Sequence, residues 1–227
     1  MTQARQICRW HAQADAGALA RAVAAEILDA AKAALARRGA FHLVLAGGGT
    51  PQRVYRALRP ADTDWARWHI WFGDERCLPP ADPERNSRMA ADAWLDHVAI
   101  PPPQVHVIPC DLGAQDAAAA YVKALAGVGE FDLVLLGLGE DGHTASLFPG
   151  HDWGEAADAP DALAVFDAPK PPPQRVSLGA RRLGAARQVI FLAAGDSKRA
   201  ALAAWKNGES IPAAAVTPAA GVDIFFA

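Results

Sequence analysis

FDLVLLGLGEDGHTASLFPG, residues 131–150, is the stretch that decides the fold. Phe131, Leu133, Val134, Leu135 and Leu136 form a short apolar run, read as a buried strand. Gly137, Gly139 and Gly142 follow at once, with Asp141, His143 and Thr144 just past the strand's carboxyl end. Open α/β sheets place their ligand crevice at that end. Glycines let a ligand approach the backbone closely, and an imidazole in the same turn can move protons near neutral pH.

The alternation extends in both directions. Asp15 is placed to cap a helix whose apolar positions Leu19, Val23, Ile27, Leu28, Ala31 and Leu35 share a face, with Gly39 as its stop. Residues 41–46 read as a buried strand, 52–58 as a helix and 68–73 as a strand. Residues 74–86 read as a loop and 87–97 as a helix. A short strand near 105–109 and an alanine-rich helix over 115–126 lead into the opening stretch. Beyond it come a polar surface loop (151–161), a candidate strand (162–168), the stiff turn KPPPQ (170–174) and extended RVSLG (175–179). Strand 188–195, helix 197–205 and strand 221–227 complete the chain. This pattern predicts an α/β fold with a mostly parallel sheet covered by helices on both faces. The proline runs are too short to separate domains, so one domain over residues 1–227 is expected.

A net charge of −3 does not suggest a nucleic-acid partner. The first thirteen residues lack an apolar signal-peptide core, and no apolar run approaches the ~20 residues of a membrane span. A cytoplasmic protein without membrane association, monomeric or weakly homo-oligomeric, is expected. Cys8, Cys77 and Cys110 are far apart in sequence and suggest neither a disulfide framework nor a zinc site.

Four clusters carry chemistry. Gly47-Gly48-Gly49-Thr50-Pro51 lies between a strand and a helix start. It serves either as a tight turn or as a phosphate cradle of backbone N–H groups, with the Thr50 hydroxyl as a further donor. Asp74-Glu75-Arg76 follows another strand. An isolated run of this kind is most often a solvated loop or an internal salt bridge. At a strand's carboxyl end, Arg76 can clamp a phosphate or carboxylate, and Asp74 can bind sugar hydroxyls or take a proton. In the third cluster an aspartate two residues before His143 permits Asp141 to orient the imidazole. The fourth is basic: Arg175 opens RVSL, and Lys198 sits at a strand-to-helix turn. A lysine in a helix's first turn opposes the dipole, which makes sense if it meets an anion. Gly137 to Gly142 also satisfies G-x-G-x-x-G, but Pro149 arrives too soon for a dinucleotide-binding crossover helix. The histidines show no metal-ligand spacing, and there is no G-x-S-x-G elbow.

LAGGGTPQRVY, WFGDERCLPPADPERNSRMA, FDLVLLGLGEDGHTASLFPG, RVSLGARRL and GDSKRAAL occur in this order across nearly the whole chain. Together they resemble the glucosamine-6-phosphate isomerase/6-phosphogluconolactonase family, on its lactonase side. The resemblance implies a Rossmann-like domain and hydrolysis of 6-phospho-D-glucono-1,5-lactone without metal or organic cofactor. It implies His143 as base and Asp141 as its orienter. It also implies Gly48, Gly49, Thr50, Asp74, Arg76, Asn86, Arg175 and Lys198 as substrate or phosphate contacts. Arg85 and Ser87 flank Asn86 where Ser and an aromatic are expected, and Gly179 replaces an expected threonine.

Two rivals remain at this point. Glucosamine-6-phosphate deaminases share the G-x-G-x-D-G-H core, but their motif continues toward Asn-Glu-Pro, and Phe148 stands here in place of that proton-carrying glutamate. A non-catalytic sugar-phosphate sensor would need no base. The retained Asp141 and His143, and the use of all 227 residues by one fold, weigh against it.

Overall fold

The computed structural model describes residues 6–227. Residues 1–5, on which part of the signal-peptide reading rests, lie outside the described residues. Among the described residues, ten strands form two sheets. The main sheet contains β1 (Cys8–Ala12), β2 (Phe41–Leu45), β3 (Trp68–Phe72), β5 (Val105–His106), β6 (Leu133–Gly137), β9 (Val189–Ala193) and β10 (Val222–Phe226). Its order is β1-β10-β9-β6-β2-β3-β5, and every neighbouring pair is parallel. The second sheet is small and antiparallel, in the order β4 (Asp74–Arg76), β8 (Arg175–Leu178), β7 (Ala162–Val165).

Among the described residues, six α-helices connect these strands: α1 (Ala16–Arg38), α2 (Gly49–Leu58), α3 (Asn86–Ala93), α4 (Ala114–Leu125), α5 (Ala180–Gly184) and α6 (Arg199–Lys206). Parallel crossovers are right-handed. That rule puts α1, α2 and α3 on one face of the main sheet, and α4, α6 and the small sheet on the other. The packing agrees: α1 lies on α2, α2 on α3, and α4 on β7 and β8. The domain is therefore single, with both faces of its parallel sheet covered. Being covered on both faces, strands such as β6 and β9 are apolar throughout rather than alternating.

Sequence signals set the local ends. Asp15 accepts a hydrogen bond from Ala18 N at 2.7 Å, and Gly39 caps α1 in the left-handed region at φ 78°. The core between α1–α3 and the sheet is aromatic. Trp68 meets Phe41 edge-on at 4.7 Å and Trp94 at 5.9 Å, and all three are fully buried.

Several expectations need correction. The loop expected at 74–86 begins as β4, which pairs into the small second sheet. Asp-Glu-Arg has no apolar alternation to announce a strand; it is extended because β8 supplies a ladder. β1 and α5 carry no strong periodicity that would announce them in the sequence. The helix expected at 52 starts at Gly49, so Thr50 and Pro51 occupy its first turn. The helix expected from 197 opens with a 3-10 turn at Asp196–Lys198. Burial pushes the Cys77 and Cys110 thiols up.

Candidate active site

In the main sheet β2 lies between β3 and β6. The chain leaves β2 toward β3 and later returns on its other side as β6. This is the topological switch, where neighbouring connections diverge and open a crevice. A cleft of about 310 Å³ occupies it. Its walls come from the ends of β2 (Ala46, Gly47, Gly48) and β6 (Gly137, Leu138, Gly139), from β4, and from the turn after β6.

That turn is tightly braced. Gly139 N donates to His143 O at 2.7 Å, and Gly142 N donates to Gly139 O at 3.1 Å. The Thr144 hydroxyl donates to Gly137 O at 2.8 Å. Among the described residues Ala145 alone holds a positive φ, 48°, without being glycine. Such a residue persists only where its surroundings fix it, and here Leu147 N closes the turn onto Thr144 O at 2.9 Å.

His143 projects into the cleft, with its Nδ1 2.5 Å from Asp141 Oδ1. The same carboxylate oxygen accepts from the His143 backbone N–H at 3.1 Å. Burial pushes the Asp141 carboxyl up, but the backbone and ring donors of His143 outweigh it and hold the group below the ordinary aspartate range. A carboxylate can only accept, so Nδ1 carries the proton in this contact, and in the neutral imidazole the free lone pair is then the one on Nε2. The Phe148 ring lies 4.8 Å from the imidazole and is itself buried.

The opposite wall is buried and polar. Asp74 accepts from Asn86 Nδ2 at 2.9 Å and from the Ser146 hydroxyl at 2.6 Å. Asp74 therefore braces Asn86 and Ser146 rather than Arg76. Asn86 sits so close to Gly47 that a Cβ there would lie 2.0 Å from its Oδ1. Glu75, fully buried, accepts from the backbone N–H groups of Arg76, Asn86 and Ser87 and pairs with Arg85 at 3.4 Å. Arg85 also donates to Ile108 O at 2.9 Å. Arg85, one departure from the family pattern, thus meets protein groups, and at the other, Ser87, the backbone N–H does. Gly179 sits against Gly154, whose carbonyl oxygen would lie 3.2 Å from any added Cβ.

Of the residues expected at the site, Gly48, Asp74, Arg76, Asn86, His143, Arg175 and Lys198 line this one cleft. Gly49 and Thr50 follow Gly48 in the first turn of α2, off the wall itself, and Asp141 stands behind His143. Arg76 Nη1 donates to Glu84 O at 2.5 Å. Arg175 is 5% exposed and reaches back to the carbonyls of Lys170, Pro171 and Pro172. Burial, then Arg76, pulls its guanidinium below the ordinary arginine value, with Asp74 and Glu84 opposing. Sequence reasoning missed Lys170, Pro171 and Ser146. In the sequence the first two read only as part of a stiff turn. The available signal was a lysine directly before prolines that lead into a strand.

Among the described residues, no helix is long and apolar enough to cross a membrane. No group of three or more His, Cys, Asp and Glu side chains there is placed to hold a metal ion.

Parallel strands, a crevice at their carboxyl ends and a carboxylate-oriented imidazole inside it define a Rossmann-like α/β enzyme. A family model described as glucosamine-6-phosphate isomerases/6-phosphogluconolactonase matches residues 14–225, and the chain belongs to that family. It is 39% identical over 208 residues to a 6-phosphogluconolactonase of Streptomyces coelicolor, covering 84% of this chain and 79% of the relative. A 6-phosphogluconolactonase of Mycobacterium bovis is 38% identical over 217 residues, covering 88% of this chain and 87% of the relative. The crystal structure of 6-phosphogluconolactonase from Thermotoga maritima superposes with a TM-score of 0.89 at 27% identity, covering 97% of this chain and 99% of that one.

Proposed function

We propose that the protein hydrolyses 6-phospho-D-glucono-1,5-lactone to 6-phospho-D-gluconate, the second step of the oxidative pentose phosphate pathway. The relatives named above are 6-phosphogluconolactonases. The observation that carries the reading is the environment of His143. Its Nδ1 is tied to Asp141, its Nε2 is available, and its neighbour Phe148 cannot carry a proton. One base is enough to hydrolyse a lactone, whereas the deaminase reaction calls on a second proton carrier at that neighbour's place.

In this mechanism His143 Nε2 takes a proton from water as the oxygen attacks C1. Backbone N–H groups of the glycine-rich turns stabilise the oxyanion, one such donor being worth about 3 kcal/mol. Collapse breaks the bond from C1 to the ring oxygen, and the imidazolium returns its proton to that oxygen. Asp141 stabilises the transient imidazolium. The first turn of α2, with Gly48, Gly49 and Thr50, holds the 6-phosphate together with Arg76 and Lys198. Arg175 lines the same wall, and Asp74 and Asn86 contact the sugar side. Phosphate held at a distance aligns the carbonyl with the base.

The test is a coupled assay with freshly generated lactone, corrected for spontaneous hydrolysis, run beside an ammonia-release assay with glucosamine 6-phosphate. Lactonase turnover that His143→Ala lowers about 10²–10⁴-fold is expected. Ammonia release without lactonase turnover would assign the protein to the deaminases.

A further inference from the structure

The position of Arg175 separates it from the other cleft cations. Its Nε donates to Pro172 O at 3.1 Å, and its Nη2 donates to Lys170 O at 2.9 Å and Pro171 O at 3.2 Å. The guanidinium also lies 5.7 Å from the centroid of Phe148. A buried fork spent on three consecutive carbonyls fixes the path of the turn that bears them. The turn's first two residues, Lys170 and Pro171, are exposed at the rim and line the same cleft as Arg76 and Lys198.

Charge gives this clamp a purpose. Arg76 and Arg175 stand opposite one another in the β4–β8 pairing. Lys198 faces the cleft from the β9–α6 connection and Lys170 from the turn before β8. The one carboxylate on the wall, Asp74, is engaged by Asn86 and Ser146. A space of about 310 Å³ that collects four cations is built for an anion.

We infer that Lys170 is a further contact for the substrate's phosphate, and that Arg175 is the positioning residue that presents it by holding the carbonyls of residues 170–172. The identity of the anion rests on the lactonase reading; the clamp itself does not.

The test measures inorganic phosphate binding by calorimetry, alongside turnover of phosphorylated and unphosphorylated gluconolactone. Lys170→Met should weaken phosphate binding about tenfold or more, the scale of one charge-assisted hydrogen bond. It should also raise KM for the phosphorylated lactone with much less effect on kcat. Lys170→Arg should restore most of the loss. Arg175→Lys, which cannot span three carbonyls with one planar fork, should show the same loss. The double variant should be no worse than either single one. Should Arg175→Lys fail to fold by melting, Arg175→Gln, uncharged but still a donor, gives the same comparison. Unchanged phosphate affinity in Lys170→Met overturns the assignment. Losses that multiply in the double variant overturn the clamp, because Arg175 would then hold the anion itself. Wild-type protein that binds phosphate but lacks lactonase turnover sinks the lactonase reading and leaves the clamp to the calorimetric arm.

Discussion

A Cβ added at Gly139 would lie 2.0 Å from Nδ1 of His143 and 2.6 Å from its Cγ. The imidazole rests directly on the backbone of Gly139, which has no side chain to hold it off. Gly139→Ala must swing the ring away and break its bond to Asp141. Misplacing a reacting group by about 1 Å costs on the order of a hundredfold. The expected outcome is a kcat loss of that size with the melting temperature nearly unchanged, read from steady-state kinetics beside calorimetry. Wild-type kcat in this variant would show that the ring's seat does not matter.

Asp141→Asn keeps the size of the side chain but replaces an acceptor with a group that can also donate. Nδ1 of His143 can then lose its proton, leaving Nε2 protonated and unable to act as base. We expect kcat to fall about 10²–10⁴-fold while KM moves little. A variant that keeps its kcat removes Asp141 from the mechanism.

Glu75 is predicted to matter for stability rather than contact with substrate. Its carboxylate, fully buried, takes three backbone N–H groups and faces Arg85, which is 2% exposed. Glu75→Ala leaves Arg85 buried without its counter-charge. Breaking such a pair costs about 3–5 kcal/mol, measurable as a lower urea midpoint. A loss below about 1 kcal/mol would mean that water replaces the carboxylate.

The acid limb of stability should come from a ring of aromatic side chains on β2, β3 and β5. His42 stacks on His69 at 4.6 Å, and His69 Nδ1 and His106 Nε2 share a hydrogen bond at 3.2 Å. His106 stacks on Trp71 at 3.8 Å, and Trp71 Nε1 donates to His42 Nδ1. Burial lowers all three histidines, His106 to about 4. The unfolded chain therefore binds more protons than the folded one between about 6.5 and 4. Stability is complete above that window and is lost as pH falls through it. Thermal melts should drop by a few degrees from pH 7 to pH 5, and His69→Gln/His106→Gln should flatten the slope. An equal slope in the double variant would place the acid sensitivity elsewhere.

The long apolar strands and the cap and stop of α1 were legible because each is written in consecutive residues. Asp141 and His143 were legible for the same reason. Arg76, Asn86 and Lys198 were placed through the family resemblance and the strand ends, and they converge on one cleft. What could not be read is pairing between remote segments. β4 exists because β8 lies beside it, and Glu75 owes its burial to Arg85 and the start of α3. The role of Arg175 depends on a turn that folds back over it, and no spacing in RVSL announces that turn.

Among the described residues, β1 has one neighbour in the sheet, β10, with Cys8 facing Val222 and Ala12 facing Phe226. Among the described strands, the first in chain order is therefore completed by the last. On a ribosome adding ~5–20 residues per second, β1 waits on the order of 10–40 seconds for its partner. Its row of unpaired backbone groups and the ring of Trp10 stay open meanwhile. Contacts of such sequence separation slow folding and expose an edge to other chains. Newly made protein should thus be most vulnerable to association in the interval before β10 has been made.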